Sequence, residues 1–125
     1  LPSPKRCYAL GQAVGRALAS WQDDARIVVI GTGGLSHQLD GTRAGFINKP
    51  FDLMCLDALA NDPEKLTKLT ALDLVREAGA QGTELMAWIA ARAALTGRVT
   101  KVHSHYHVPI SNTAGAVLAL QNDDR

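Results

Sequence analysis

The sequence lacks the features that mark membrane proteins and nucleic-acid-binding proteins. No apolar run approaches the roughly 18 residues of a membrane span, and the first residues lack the charged-then-apolar order of a signal peptide. Thirteen basic residues stand against 12 acidic ones without a basic tract, so neither nucleic acid nor an anionic membrane is expected as a partner. Aromatic residues make up 5% and apolar residues 46% of the 125 residues. These values favour one globular domain with a core of Ala, Leu, Val and Ile.

Cysteine is also scarce. The sequence has two, Cys7 and Cys55, and their separation does not match a metal site. A reduced, cytoplasmic protein is the simpler interpretation, and a single disulfide is the alternative. The chain begins at Leu1 rather than at Met, which indicates a processed or truncated product, or a chain whose upstream part is not shown.

Hydrophobic periodicity predicts a helix and then a strand near the start of the chain. Apolar residues recur at helical spacing over residues 5–21, where Gly11 and Gly15 weaken the helix but permit close packing. Residues 27–30, Ile-Val-Val-Ile, form a continuous β-branched run, typical of a strand buried on both faces of a parallel sheet. Residues 36–50 have no clear period and predict a long loop, a feature that is often functional.

Helices dominate the middle of the chain and strands its end. A helix is predicted over 51–60, Asp62 is the expected N-cap of the next, and Thr70 caps a short third helix. The remaining predicted elements are a helix over 84–95, a strand over 99–108, and a strand or short helix over 116–120. We therefore predict an α/β fold. Two or three strands are few for such a sheet, which indicates that the chain is part of a larger unit.

The glycine-rich residues 31–34, Gly-Thr-Gly-Gly, end the predicted strand and precede His37. A phosphate cradle is one interpretation, but the dinucleotide pattern requires Gly where Ser36 stands, and the Gly-Lys-Ser/Thr of a P-loop is absent. The alternative is a sharp turn that presents His37 at the end of a strand, where ligands of α/β sheets usually bind. An imidazole there can exchange a proton near neutral pH. A surface loop histidine is the alternative without function.

Two further places carry polar side chains suited to a site. Glu84 lies in the first turn of an otherwise apolar helix, where the helix dipole alone stabilises a carboxylate and a ligand role is the functional alternative. Ser111, Asn112 and Thr113 follow Pro109. They predict either an ordinary turn or donors to a carboxylate or hydroxyl of a small substrate.

His103, His105 and His107 alternate along the predicted strand over 99–108, so we expect their imidazoles on one face. Such a row suits Zn, Cu, Fe or Ni, although directly alternate histidines often sit too far apart to share one ion. A polar strand face is the alternative.

Residues 29–39, Val-Ile-Gly-Thr-Gly-Gly-Leu-Ser-His-Gln-Leu, resemble the histidine loop of class III extradiol dioxygenases. The resemblance is greatest to the β, catalytic, subunit of the protocatechuate 4,5-dioxygenase type. Further stretches match the same family in order: residues 2–11, 43–48, 76–79, 82–88 and 106–113. The resemblance thus covers nearly the whole chain.

This resemblance implies a fold, a reaction and a set of site residues. Family members are α/β/α sandwiches with a central, mostly buried sheet. They cleave a catechol ring with O₂, using iron(II) held by two histidines and one carboxylate. By resemblance, Glu84 is the carboxylate ligand of the metal, and His37 is a catalytic histidine outside the ligand set that handles a substrate proton. Ser111 and Asn112 belong to the substrate pocket and hold the ring substituent, a carboxylate in protocatechuate.

One departure from the family pattern bears on domain organisation. The two histidine ligands of the family lie in the N-terminal half of the catalytic subunit, and neither matches a histidine of this chain. We therefore expect residues 1–125 to form a single domain that is the C-terminal portion of a catalytic domain, with an incomplete sheet and poor iron binding in isolation. The resemblance further implies a catechol substrate and O₂, a small α subunit that covers the site, and a homo- or hetero-oligomer.

Two alternatives to the dioxygenase hypothesis stay open at this point. One is a non-catalytic binding or assembly fragment of the same fold, which accords with the missing ligands. The other is an unrelated metal-binding module that uses His103, His105 and His107. The sequence does not separate protocatechuate from gallate or other catechols as the substrate.

Overall fold

The computed structural model describes residues 1–123, which form both helices and strands, as predicted. The helices are α1 (Pro4–Ser20), α2 (Lys49–Asn61), α3 (Ala71–Ala78) and α4 (Leu85–Ala93), and the strands are β1 (Val99–His107) and β2 (Gly115–Asn122). Two 3₁₀ turns, Pro63–Lys68 and Gln81–Glu84, precede α3 and α4. Among residues 1–123, no helix combines the length and the apolar character that crossing a membrane requires.

Side-chain caps fix where three of the helices begin. Ser3, Asn48 and Thr70 each accept a hydrogen bond from a first-turn amide, which satisfies an N–H group that has no partner within the helix. The cap predicted at Thr70 is confirmed, and it is part of a reciprocal capping box. Asp62 is the N-cap residue of the 3₁₀ turn Pro63–Lys68, as predicted, although its side chain makes no cap hydrogen bond. The Asp62 amide donates to the Ala58 carbonyl at the end of α2.

Strands β1 and β2 form an antiparallel hairpin at the end of the described chain. Residues 116–120, for which the sequence allowed a strand or a short helix, lie in β2 and are therefore a strand. The pairing runs from Val99 opposite Asn122 to His107 opposite Gly115, with an irregularity after Lys101. This hairpin is the one sheet found within residues 1–123.

The buried strand predicted at residues 27–30 is wrong for the part of the chain that the structure describes. These residues belong to neither strand of the hairpin, and Val28 and Ile30 are 80% and 76% exposed. A β-branched run becomes a strand only where neighbouring strands supply hydrogen-bond partners and packing. Within residues 1–123, neither strand pairs with residues 27–30. Both this segment and β2 line a groove of about 750 Å³.

Helix α1 packs on α4 through two buried glycines, which confirms the close packing predicted from the sequence. A side-chain carbon at Gly11 would overlap the Ala90 carbonyl oxygen, and one at Gly15 would lie 2.8 Å from the Ala94 carbonyl oxygen. Because protein interiors are already close-packed, a larger residue at either position would force the helices apart. The buried core is built mainly from leucine and alanine, as the composition predicts, but it holds one isoleucine and, within residues 1–123, no valine.

Replacing Gly11 by Ala tests the glycine contact between α1 and α4. Alanine favours an isolated helix by about 1 kcal/mol over glycine. The new methyl group, however, meets backbone that cannot rotate away, and overpacking typically costs about 1–3 kcal/mol. We expect a net loss of stability, measured as a lower denaturation midpoint. Gln12→Ala, at the exposed neighbour, should change the midpoint little, and equal midpoints for the two variants would contradict the packing argument.

Candidate active site

The glycine run lies against the start of α4, in agreement with the turn interpretation. A side-chain carbon at Gly33 would come within 2.6 Å of Glu84 Cβ, and one at Gly31 within 2.7 Å of the Ala87 carbonyl oxygen. Gly33 also has a φ of +116°, which residues with a side chain rarely adopt. The Trp88 indole N–H donates to the Gly33 carbonyl oxygen at 3.0 Å. Glycine is needed here because the loop backbone touches the helix.

His37 lies at the end of this turn and is buried, with 5% of its surface exposed. Its Nδ1 is 2.8 Å from the Leu35 carbonyl oxygen, which can only accept, so Nδ1 carries a proton. Its Nε2 is 3.3 Å from Glu84 Oε1. An unprotonated Nε2 and an ionised carboxylate are both acceptors and form no hydrogen bond with each other. The contact is therefore a hydrogen bond only when His37 or Glu84 carries one further proton. Because His37 is buried, the interpretation as a surface loop histidine is wrong.

Glu84 is the last residue of the 3₁₀ turn Gln81–Glu84, immediately before α4. Its side chain is 49% exposed, and Oε1 accepts a hydrogen bond from the Gly34 amide at 3.1 Å. Within residues 1–123, no hydrogen-bond donor reaches the second oxygen, Oε2. The carboxylate is therefore held in one orientation by one oxygen and presents the other to solvent.

A short backbone bridge brings the turn between β1 and β2 next to His37. His37 and Thr113 pair in an isolated antiparallel bridge. Ser111 and Asn112, the predicted substrate-binding residues, are exposed on the turn just before it. The Asn112 amide donates to the Pro109 carbonyl at 3.0 Å, and Asn112 has a φ of +53°, a left-handed conformation that asparagine tolerates. The bridge thus joins the predicted substrate-binding turn to the predicted catalytic loop.

The loop that follows His37 is tied to the end of α3. Arg43 donates to the Arg76 carbonyl oxygen at 2.8 Å, and its guanidinium carbon lies 4.1 Å from the centroid of the Phe46 ring. The Gln38 side chain accepts from the Ala80 amide at 3.2 Å. The long loop predicted from the sequence is thus anchored by two of its side chains to the last turn of α3 and to the residues just after it.

The sequence reasoning missed a buried carboxylate next to this loop. Asp52, on α2, is 1% exposed and accepts three hydrogen bonds: from the Ser36 amide at 2.9 Å, the Ser36 hydroxyl at 2.6 Å and the Tyr106 hydroxyl at 2.6 Å. Burial, and then the hydrogen bond to Asp52, raise the pKa of Tyr106 well above its usual range. Burial, with a contribution from the Asp52 charge, raises the pKa of the Cys55 thiol to about 12.

A signal for Asp52 was present in the sequence. It precedes the buried residues Cys55, Leu56 and Leu59 by three, four and seven positions, so it lies on the buried face of α2. A lone carboxylate on such a face needs hydrogen-bond partners, because an unpaired buried charge is costly. The partners could not be named from the sequence, since Ser36 and Tyr106 lie 16 and 54 residues away.

The side chains of the three β1 histidines make no hydrogen bond with His37 or Glu84 within residues 1–123. His103, His105 and His107 are exposed, and the rings of His105 and His107 stack with their centroids 6.3 Å apart. Across residues 1–123, no three His, Cys, Asp or Glu side chains are grouped so that they could hold a metal ion. The three-histidine metal site considered above is therefore not formed in the described part of the chain.

The described residues fit an iron site in part. Glu84 offers a fixed carboxylate with one open oxygen, of the kind that a two-histidine, one-carboxylate site requires. His37 does not supply a second ligand in this arrangement, because Leu35 engages Nδ1 and Nε2 faces Glu84. Residues 1–123 thus offer one carboxylate, Glu84, that suits such a site.

Replacing Gly33 by Ala tests the contact that places Glu84. The left-handed backbone and the overlap with Glu84 Cβ should together destabilise the protein by about 2 kcal/mol or more, measured by chemical denaturation. Gly115→Ala is the matched control, because a side chain there meets nothing within 4 Å. The control should stay within about 0.5 kcal/mol. Similar losses for both variants would contradict the proposed role of Gly33.

Comparison with known proteins identifies the family. Residues 1–118 match the model of the catalytic LigB subunit of aromatic ring-opening dioxygenase. Gallate dioxygenase of Pseudomonas putida is 40% identical over 125 residues, which are 100% of this chain and 36% of that protein. The chain therefore spans little more than a third of the length of this curated relative. These matches confirm the resemblance to class III extradiol dioxygenases, and the chain belongs to the family of catalytic LigB subunits of aromatic ring-opening dioxygenases.

Proposed function

We propose that the chain is part of an iron(II)-dependent enzyme that cleaves the ring of a catechol carboxylate with O₂, beside one of the hydroxyls. Aromatic ring opening follows from the family. The contact of 3.3 Å between His37 Nε2 and Glu84 Oε1 is the observation that supports particular site residues. This contact lies next to the turn that holds Ser111 and Asn112. When bound, iron(II) would supply the redox chemistry by which O₂ opens the ring.

In this proposal Glu84 binds the metal and His37 moves a proton. The open oxygen of Glu84 is the ligand atom, and the Gly34 amide on the other oxygen keeps the carboxylate oriented. His37 keeps one proton on Nδ1, held by the Leu35 carbonyl, and exchanges a second proton at Nε2. This nitrogen would accept the proton that a catechol hydroxyl loses on binding. Because the imidazole is buried, bulk water is kept from competing for that proton.

Ser111 and Asn112 are proposed to hold the carboxylate of the ring. A hydroxyl and an amide N–H can donate to an anion without adding charge to the site. Gallate, named for the Pseudomonas relative, and protocatechuate both carry a carboxylate as well as adjacent hydroxyls. We propose this shared chemistry as the substrate class, and a comparison of kcat/KM for the two acids distinguishes between them.

We further propose that the two histidine ligands come from outside these 125 residues. Two observations support this: residues 1–123 contain no group of three side chains that could hold a metal ion, and the chain spans 36% of the length of the Pseudomonas relative. The same source would supply strands for the groove of about 750 Å³ between residues 27–30 and β2. The domain would then be the C-terminal portion of an α/β/α sandwich. A cytoplasmic location, a small α subunit and an oligomer stay part of this proposal.

A non-catalytic binding or assembly fragment is the second candidate. The observation in its favour is that residues 1–123 hold no group of three His, Cys, Asp or Glu side chains that could bind a metal ion. It predicts that the complete polypeptide binds no stoichiometric iron and takes up no oxygen with any catechol. Anaerobic loading with ferrous iron, followed by oxygen uptake with protocatechuate and gallate, separates the two candidates.

Replacing His37 or Glu84 by Ala should have different consequences in the complete iron-loaded enzyme. His37→Ala should lower kcat by about 10²–10⁴-fold, the usual contribution of a general acid or base, and leave the iron content unchanged. Glu84→Ala should lose both iron and activity. Ring opening is followed by absorbance and iron by atomic absorption.

His103→Gln is the control for these variants, since His103 is exposed on β1 and has no role in the proposal. It should retain both iron and activity. Full activity in both His37→Ala and Glu84→Ala would remove the basis of the site assignment.

Replacing Asn112 by Asp tests the carboxylate-binding role. The new charge repels an anionic ring substituent, so KM for protocatechuate or gallate should rise by about tenfold or more. KM for unsubstituted catechol should change little. Asn112→Gly is the matched control, because glycine also accepts the φ of +53°. It should raise KM for the carboxylated substrates less than Asp does, and equal effects on carboxylated and plain catechol would rule out the role.

A further inference from the structure

Asp52 is a buried carboxylate without a cation beside it. Its three hydrogen bonds come from neutral donors, and no ion pair among residues 1–123 includes it. Removing a carboxylate from water is costly, so an apolar side chain would fill this position on α2 with less desolvation. Packing alone therefore does not account for Asp52, and the three donors that surround it indicate what the charge does.

Ser36, the residue before His37, has each of its polar groups engaged. Its amide and hydroxyl donate to the two oxygens of Asp52, at 2.9 and 2.6 Å. Because the hydroxyl hydrogen goes to Asp52, the oxygen can accept from the Asn48 amide, at 2.9 Å. The Ser36 carbonyl accepts from the Ala114 amide at 3.2 Å. Asp52 thus fixes both the backbone and the side chain of Ser36.

The residues on either side of Ser36 make the contact that orients the imidazole. His37 Nδ1 donates to the Leu35 carbonyl at 2.8 Å. The ring therefore belongs to the residue after Ser36, and its acceptor belongs to the residue before Ser36. A change in the backbone angles of Ser36 would move the ring relative to that acceptor. The anchor on Ser36 is therefore also the anchor of the His37 ring.

We propose that Asp52 is a positioning residue for His37, acting through Ser36 to keep Nδ1 on the Leu35 carbonyl and Nε2 toward Glu84. Asp52 touches neither the predicted substrate turn nor the imidazole through any hydrogen bond found in residues 1–123. Its catalytic consequence rests on the proposed function, whereas the orientation of the ring does not. The Tyr106 hydroxyl links the same carboxylate to β1.

The first test is a double-mutant cycle in the complete iron-loaded enzyme. Asp52→Asn keeps the shape but places an amide group among three donors, so at least one of them loses its acceptor. We expect kcat to fall by about 10–100-fold with KM and iron content nearly unchanged, because small misplacements of a catalytic group have effects of this size. In a His37→Ala background the same substitution should lower the residual kcat no further.

Asp57→Asn is the matched control on the same helix. Asp57 is exposed, and its carboxylate accepts a hydrogen bond from the Asn61 side chain alone among the described residues. This variant should retain kcat. An unchanged kcat in Asp52→Asn, or an equal loss with and without His37, would overturn the proposal.

A second readout does not depend on activity. In the metal-free protein, ¹⁵N spectra of labelled histidine should show His37 with its proton on Nδ1, and Asp52→Asn should shift these ring signals toward a mixture of the two tautomers. Unchanged His37 signals would overturn the proposal even if the protein opened no ring. If the unsubstituted enzyme opened no ring while Asp52→Asn still changed the His37 ring signals, the proposed function would be contradicted and the positioning role of Asp52 would stand.

Ser36→Ala covers the case in which Asp52→Asn does not fold. It removes the hydroxyl but keeps the amide that donates to Asp52, so it is the milder change. We expect about a tenfold loss of kcat that is absent in the His37→Ala background, together with the same direction of change in the ring signals. An additive loss with unchanged ring signals would overturn the proposal.

Discussion

The close contact of residues 33–37 with Glu84 and the start of α4 is the constraint on which the site depends. It exists because Gly33 has no side chain where Glu84 Cβ lies, and because the Trp88 indole binds the Gly33 carbonyl. That approach lets the Gly34 amide and His37 Nε2 share one oxygen of Glu84. His37 and Glu84, separated by 47 positions in the sequence, thus come within 3.3 Å of each other, and no donor within residues 1–123 reaches the second oxygen of Glu84.

The same short segment is also held by α2, by the end of α3 and by the turn between β1 and β2. Asp52 binds Ser36, the Leu35 amide donates to the Ala114 carbonyl, and the His37 amide donates to the Ala78 carbonyl. Each of three consecutive residues is therefore tied to a different part of the chain. The folding of the hairpin and the placement of the imidazole are coupled, although neither strand contributes a side chain that touches the ring through a hydrogen bond within residues 1–123.

Local patterns predicted what depends on local interactions. Periodicity gave the extent of α1 to within one residue at each end, the Thr70 cap gave the start of α3, and the glycines of α1 predicted its close packing. Residues 27–30 were mispredicted because burial of a strand depends on neighbours that residues 1–123 do not provide. Asp52 was missed because its partners are distant in the sequence. The resemblance, not the residue pattern alone, singled out Glu84, and its role as a ligand stays a prediction.

The central claim is that Glu84 binds iron beside His37. Diffraction from crystals of the complete iron-loaded protein, recorded at energies above and below the iron absorption edge, locates the metal without any assumption about activity. We expect an anomalous peak within coordination distance of the Glu84 carboxylate and next to, but not bonded to, the His37 ring. A peak at His103, His105 and His107, or a peak away from Glu84, would contradict it.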